Sequence, residues 1–154
     1  MHCESISAAV AGLLWLASSY NYSPNLLTSE KKVKRLYPCN TAFTLPLNPQ
    51  ADLPTVLEQF FVNCLDAKFF LKTPQKEKID IIHAHDKTVL PIEIKIKGKI
   101  GRDDVKTLFK FLERNKLKKA LLVTLDTETK FEKESLLIEA VPYWKYWSIK
   151  SRIS

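Results

Sequence analysis

Lys78-Ile79-Asp80-Ile81-Ile82-His83-Ala84-His85 and Val89-Leu90-Pro91-Ile92-Glu93-Ile94-Lys95-Ile96-Lys97 are the stretches whose period decides the fold. In the second, Leu90, Ile92, Ile94 and Ile96 alternate with Glu93, Lys95 and Lys97, the two-residue period of a strand with one apolar face. In the first, Ile79 and Ile81 are expected on one face, with Asp80, Ile82 and Ala84 on the other. Asp86-Lys87 stands between the two runs, so the pair predicts an antiparallel hairpin.

Upstream, Asp52 has the chemistry of a helix N-cap, and Pro54 suits a first helical turn. Val56, Leu57, Phe60, Phe61, Cys64 and Leu65 then form a wide apolar stripe, predicting a helix over 54–66. A short strand is expected over 68–72, followed by the turn Thr73-Pro74-Gln75. Downstream, Gly98 and Gly101 bracket a break, and a helix is predicted over 102–115. Asp103 and Asp104 fall in its first turn, where the helix dipole favours acid. Its stripe of Val105, Leu108, Phe109 and Leu112 is expected to cover Ile92, Ile94 and Ile96. A buried strand over 120–124, a polar loop and a strand over 136–141 complete the order α-β-β-β-α-β-β from residue 54. A helix between neighbouring strands implies a crossover, so the class is α/β with a mixed sheet. Residues 51–154 are read as this core domain. Residues 1–50 are read as an irregular segment packed on it or leading into it. That segment has a short helix over 5–16, strand-like content over 13–22, a turn at Ser23-Pro24-Asn25 and a basic strand over 31–37. Pro38, Pro46, Pro49 and Pro54 leave no room for a long helix there.

The chain has 154 residues, enough for one core. Three glycines spell no phosphate-cradling loop, which excludes a nucleotide-hydrolysing motor in this chain alone. Cys3, Cys39 and Cys64 are far apart and lack metal or disulfide spacing, which points to a reducing compartment. The most apolar stretch, residues 8–17, is about ten residues, short of a bilayer span, and lacks a basic flank. A cytoplasmic protein with no membrane partner is expected. The net charge of +7 is concentrated: residues 67–119 hold 15 of the 24 Lys and Arg against 7 of the 17 Asp and Glu. A localised basic field attracts polyanions, DNA among them, although a lysine-rich solvated surface would look the same.

The hairpin sets Asp80 on one strand beside Glu93 and Lys95 on the next, the latter two sharing a face. Two converging carboxylates suit a divalent cation, and a neighbouring ammonium can position water and stabilise charge on a transferring phosphoryl group. The same residues would equally make the solvated face of an outer strand.

Lys78-Ile79-Asp80-Ile81-Ile82, Leu90-Pro91-Ile92-Glu93-Ile94-Lys95 and Leu121-Leu122-Val123-Thr124-Leu125-Asp126 together resemble the PD-(D/E)XK nuclease superfamily. More narrowly, they look like the C-terminal domain that follows the P-loop module in archaeal and bacterial AAA-type ATPases. Val141-Pro142-Tyr143-Trp144 is similar to that family's closing element, residues 32–41 to its upstream segment, and Glu58 falls where its helix carries a Glu. The resemblance spans roughly residues 30–147. It implies a restriction-endonuclease-like mixed β-sheet flanked by helices, with an α-β-β-β-α-β core. It also implies Asp80 and Glu93 as ligands of Mg²⁺ or Mn²⁺, Lys95 as the catalytic lysine and Glu58 as an auxiliary acid. Two positions depart from the pattern: Lys78 replaces a Glu, and Asn40 replaces an Asp. The function so implied is a nuclease-fold domain that binds DNA and hydrolyses phosphodiester bonds with Mg²⁺. The alternative is a catalytically inactive DNA- or protein-binding or regulatory module for an ATPase, in cis or in trans, able to form oligomers.

Lys97, Lys99, Arg102, Lys106 and Lys110 are the candidate DNA contacts, because Arg102, Lys106, Lys110 and Arg114 repeat every four residues along the second helix. Those side chains would otherwise solvate the helix's outer side. His83 and His85 stand two apart without a third Cys or His nearby and read as a polar strand face. Tyr143-Trp144-Lys145-Tyr146-Trp147 either closes a core, meets a partner or stacks bases.

Overall fold

The computed structural model describes residues 16–23, 34–74, 77–85 and 88–153. The expected helix over 5–16, the turn at Pro24 and Asn25, and the Asp86-Lys87 turn lie wholly or largely outside these residues. Among the described residues eight strands form one mixed sheet: β1 (Leu16–Asn21), β2 (Lys34–Pro38), β3 (Phe69–Lys72), β4 (Lys78–His85), β5 (Thr88–Lys95), β6 (Lys119–Thr124), β7 (Thr129–Lys133) and β8 (Leu136–Pro142). Their spatial order is β2-β1-β3-β4-β5-β6-β8-β7. The α-helices among the described residues are α1 (Thr44–Leu47), α2 (Leu53–Cys64), α3 (Lys106–Asn115) and α4 (Tyr146–Ser151). From α2 to β6 the elements run in the expected α-β-β-β-α-β order, and β5 and β6 pair in parallel across the α3 crossover. The segment before residue 51 contributes β1 and β2, which extend the sheet beyond β3.

Local chemistry sets the helix ends. Asp52 caps α2 by accepting from the Thr55 N–H at 3.0 Å and the Thr55 hydroxyl at 2.6 Å, with Pro54 in the first turn. Before α3, a 3₁₀ turn over Arg102–Val105 is closed by the Gly101 N–H donating to Asp104 Oδ2 at 2.8 Å. Lys116, at φ 55°, ends the helix in the left-handed region.

Two apolar clusters sandwich the sheet. On one face Leu57, Phe61 and Val62 of α2 and Ile149 of α4 meet Ile81, Ile92, Ile94, Leu121 and Val123. On the other, Val105, Leu108, Phe111 and Leu112 cover Ile79, Ile82, Leu122, Ile138 and Ala140. The expected pairing of helix 102–115 with Ile92, Ile94 and Ile96 is therefore reversed: these isoleucines belong to the α2 face. Phe111 is buried where Phe109 was expected, and Phe109 is half-buried.

β4 departs from simple alternation for a specific reason. Phe69 pairs with Ile82 and Leu71 with Ile79, so Asp80 and Ile81 of β4 together oppose the single residue Phe70 of β3. One residue is extra, a bulge that places Ile79 and Ile82 in one cluster and Ile81 in the other. The expected polar loop after β6 also contains a strand, β7. Its sequence, Thr-Lys-Phe-Glu-Lys, has a single apolar residue because it closes the sheet's edge, where charged side chains are favoured.

Candidate functional site

The bulge in β4 lies beside Asp80, and Asp80 is where the two halves of the site meet. Its Oδ2 accepts from the Ile94 N–H of β5 at 3.0 Å, while its own N–H donates to Glu93 Oε2 at 3.3 Å. The two carboxylates are thus hooked into each other's strands. Both are buried, Asp80 at 4% exposure and Glu93 at 8%, because β5 is central, flanked by β4 and β6. That disposes of the outer-strand reading. Lys95, two residues on and half-exposed, sets its ammonium 3.4 Å from Glu93 Oε1. Asp80, Glu93 and Lys95 open on one cleft of about 360 Å³, together with Glu58, Lys78 and Thr107.

Burial penalises the charged form of Glu93, and the Asp80 carboxylate adds repulsion. Lys95 and Lys78 offset only part of this, and the Glu93 carboxyl is pushed up to about 7. Asp80 Oδ1 lies 2.7 Å from the Lys78 ammonium, yet it is a buried acceptor without a well-directed hydrogen bond among the described residues. Partial burial alone would lower the Lys78 pKa. Contact with Asp80 and the charge of Glu58 outweigh it, so the ammonium is held protonated.

Glu58 reaches the cleft from α2. Its Oε1 accepts from the Arg35 guanidinium at 2.8 Å and from the Tyr37 hydroxyl at 2.7 Å, and Lys78 Nζ lies 3.4 Å from Oε2. Burial, then the Glu58 charge, pushes the Tyr37 phenol up, so the phenol is a donor throughout the physiological range. β2 is fastened to the same helix: the Pro38 carbonyl accepts from Gln59 Nε2 at 2.8 Å and from Asn63 Nδ2 at 2.7 Å. Arg35 also stacks 4.0 Å from the Phe70 ring centroid. Sequence reasoning missed Arg35 and Tyr37 as partners of Glu58. Nothing local marks a contact that spans more than twenty residues of chain. Lys78 was visible only as a departure from a pattern.

The candidate DNA-contacting cations divide into paired and unpaired ones. Lys97 is tied to Asp104 at 2.6 Å and Lys106 to Asp103 at 2.7 Å. Lys99, Arg102 and Lys110 are exposed and in no ion pair among the described residues. Arg114 pairs with Glu77 at 3.0 Å. His83 is half-buried, and the side chain of His85 lies outside the described residues. The aromatic run divides: Tyr143 and Tyr146 pack on the α2 face, whereas Trp144 and Trp147 are 62% and 76% exposed. Among the described residues no group of three or more His, Cys, Asp or Glu is gathered as a complete metal cage would require, and no helix is long and apolar enough to cross a membrane. Compared with protein-family models, curated proteins and solved structures, the chain matches none.

Proposed function

We propose that this chain is a nuclease-fold domain of PD-(D/E)XK type that binds DNA and hydrolyses phosphodiester bonds with a divalent cation, Mg²⁺ or Mn²⁺. The observation that carries the reading is the buried pair of Asp80 and Glu93, one from each of two adjacent strands, opening on a water-accessible cleft beside Lys95. Mg²⁺ keeps several waters and takes one or two carboxylates, so two hard-oxygen side chains are a sufficient protein donor set. Asp80 and Glu93 would hold the ion, and when bound it would supply Lewis-acid stabilisation of developing phosphate charge. The remaining work belongs to the chain itself. Lys95 orients a water toward phosphorus and neutralises charge on the transferring group. Glu58, held by Arg35 and Tyr37, keeps Lys78 beside Asp80 and so shapes the acid pair. The basic surface of residues 67–119 holds the polyanion.

A second reading is favoured by Lys78. Its ammonium, 2.7 Å from Asp80 Oδ1, stands where a cation would be drawn. A chain that relies permanently on that lysine needs no metal, and would serve as a DNA- or protein-binding module attached to an ATPase.

Cleavage assays on plasmid, linear, branched and single-stranded DNA with Mg²⁺ or Mn²⁺ decide between them. Under the first reading the wild type cuts at least one substrate, Glu93→Ala abolishes cutting, and Lys95→Ala loses cutting while retaining metal binding. Absence of metal-dependent cutting on every substrate, with DNA still bound, establishes the second.

A further inference from the structure

A second concavity borders α3. It is a groove of about 580 Å³ between that helix and the edge strand β7. Arg102, Lys106 and Lys110 line it from the helix side, and Lys130 and Lys133 from the strand. Three of these cations are in ion pairs, Lys133 with Glu113 at 2.6 Å, Lys106 with Asp103 at 2.7 Å and Lys130 with Glu139 at 3.8 Å, whereas Arg102 and Lys110 are in none among the described residues. Between the charged rims lie the half-buried rings of Phe109 and Phe131. Phe131 stands opposite buried Ile138 in register, so its ring lies on the α3 face of the sheet. Thr107 lines the cleft while its neighbour Lys106 lines the groove, so the first turn of α3 borders both.

We infer that this groove binds single-stranded nucleic acid, the cations taking the phosphates and the two phenylalanines taking unpaired bases. Cations alone would serve any polyanion. A base can reach an aromatic ring face to face only when it is out of a duplex, and stacking of that kind tolerates any sequence. The inference rests on the nucleic-acid reading above for its choice of ligand, and it narrows the substrate to one with an unpaired strand leaving the cleft across the start of α3.

Fluorescence anisotropy tests it with a labelled oligo-dT of about 12 nucleotides and a blunt duplex of the same length, both in EDTA so that no strand is cut. The single strand should bind at least about tenfold more tightly than the duplex. Phe131→Leu, which keeps the apolar bulk and removes the ring face, should erase that preference, whereas Lys110→Glu should weaken both ligands. If Phe131→Leu does not fold, Phe109→Leu is read in the same way. A duplex bound as tightly as the single strand, or ring variants that bind like wild type, overturns the inference. Because the titration contains no divalent metal, its result is separable from the cleavage assay. Cutting without single-strand preference sinks this inference alone, and preference without cutting sinks the phosphodiester reading alone.

Discussion

The cleft and the groove flank the same helix, yet they hold charge in opposite ways. In the cleft the fold forces like charges together out of water: Asp80 and Glu93 are buried, each bonded to the backbone of the other's strand, and only partly compensated by Lys78 and Lys95. In the groove the charges are on the surface, and water and salt screen them. The difference teaches where function is stored as strain and where as mere placement. A buried acid pair is paid for by the core that holds it, and its removal should be felt in stability. An exposed basic rim should be felt only by a ligand.

The comparison breaks first if the core does not hold the acids. Ile94 donates its N–H to Asp80 and buries its side chain under α2. Ile94→Ala should destabilise by about 2–5 kcal/mol, the range for a large-to-small change in a packed interior. In a double-mutant cycle it should couple to Leu57→Ala, on the same face, and add simply with Leu108→Ala, on the other. Denaturant melts reporting coupling to Leu108 instead would restore the packing expected from the sequence.

That expectation failed for an instructive reason. The alternation in 89–97 identifies which residues share a face, and Ile92, Ile94 and Ile96 do lie together, against the α2-side cluster. Alternation carries no information about which helix covers that face, because both α2 and α3 bring apolar stripes of adequate width. The bulge at Asp80 was illegible too: one extra residue shows only in the pairing with β3, a contact of geometry and not of composition. β7 was hidden by being an edge strand, whose polar residues read as loop. What was legible was whatever depends on neighbours in sequence: the Asp52 cap, the order from α2 to β6, and the placement of Glu93 beside Lys95. Glu58 was placed, but its partners Arg35 and Tyr37 come from a distant edge strand.

The acid pair itself gives the next largest effect. The Glu93 pKa rises from an ordinary 4.5 to about 7 on folding, so between those values the folded chain binds more protons than the unfolded one. Stability contributed by this group is therefore intact below pH 4.5, declines as pH rises to about 7, and stays low above. Glu93→Gln removes the penalty and should stabilise the chain above pH 7 by on the order of 3 kcal/mol, with no gain below the ordinary carboxyl range. Chemical denaturation at several pH values reads this directly, and a gain independent of pH would mean that repulsion and burial of charge are not its source.

A divalent cation should sharpen the contrast. Mn²⁺ held by Asp80 and Glu93 would bind only the folded chain, raising stability by about 3 kcal/mol at a hundredfold excess over Kd. The rise should be larger above pH 7, where Glu93 is ionised, and absent in Asp80→Asn. Lys78→Ala, by freeing Asp80 Oδ1, should tighten Mn²⁺ binding. A melting curve unmoved by millimolar Mn²⁺ in both wild type and Lys78→Ala would leave Lys78 as the acid pair's permanent counter-ion.

The groove should show the smallest effect on the protein and the clearest on its ligand. Arg102 and Lys110 are exposed and in no ion pair among the described residues, so Arg102→Ser with Lys110→Ser should change stability by no more than about half a kcal/mol per site. If each cation displaces a counterion from a phosphate, the log–log dependence of affinity on salt for a single strand should lose about 0.7 in slope per residue removed. The double variant should then lose about 1.4 in slope and bind more weakly at low salt, converging on wild type as salt rises. Such convergence separates a loss of electrostatic contact from a loss of fold, which would weaken binding at every salt concentration. A slope unchanged by both substitutions would mean that these side chains only solvate α3, and the groove's charge would then resemble the rest of the surface rather than contrast with the cleft.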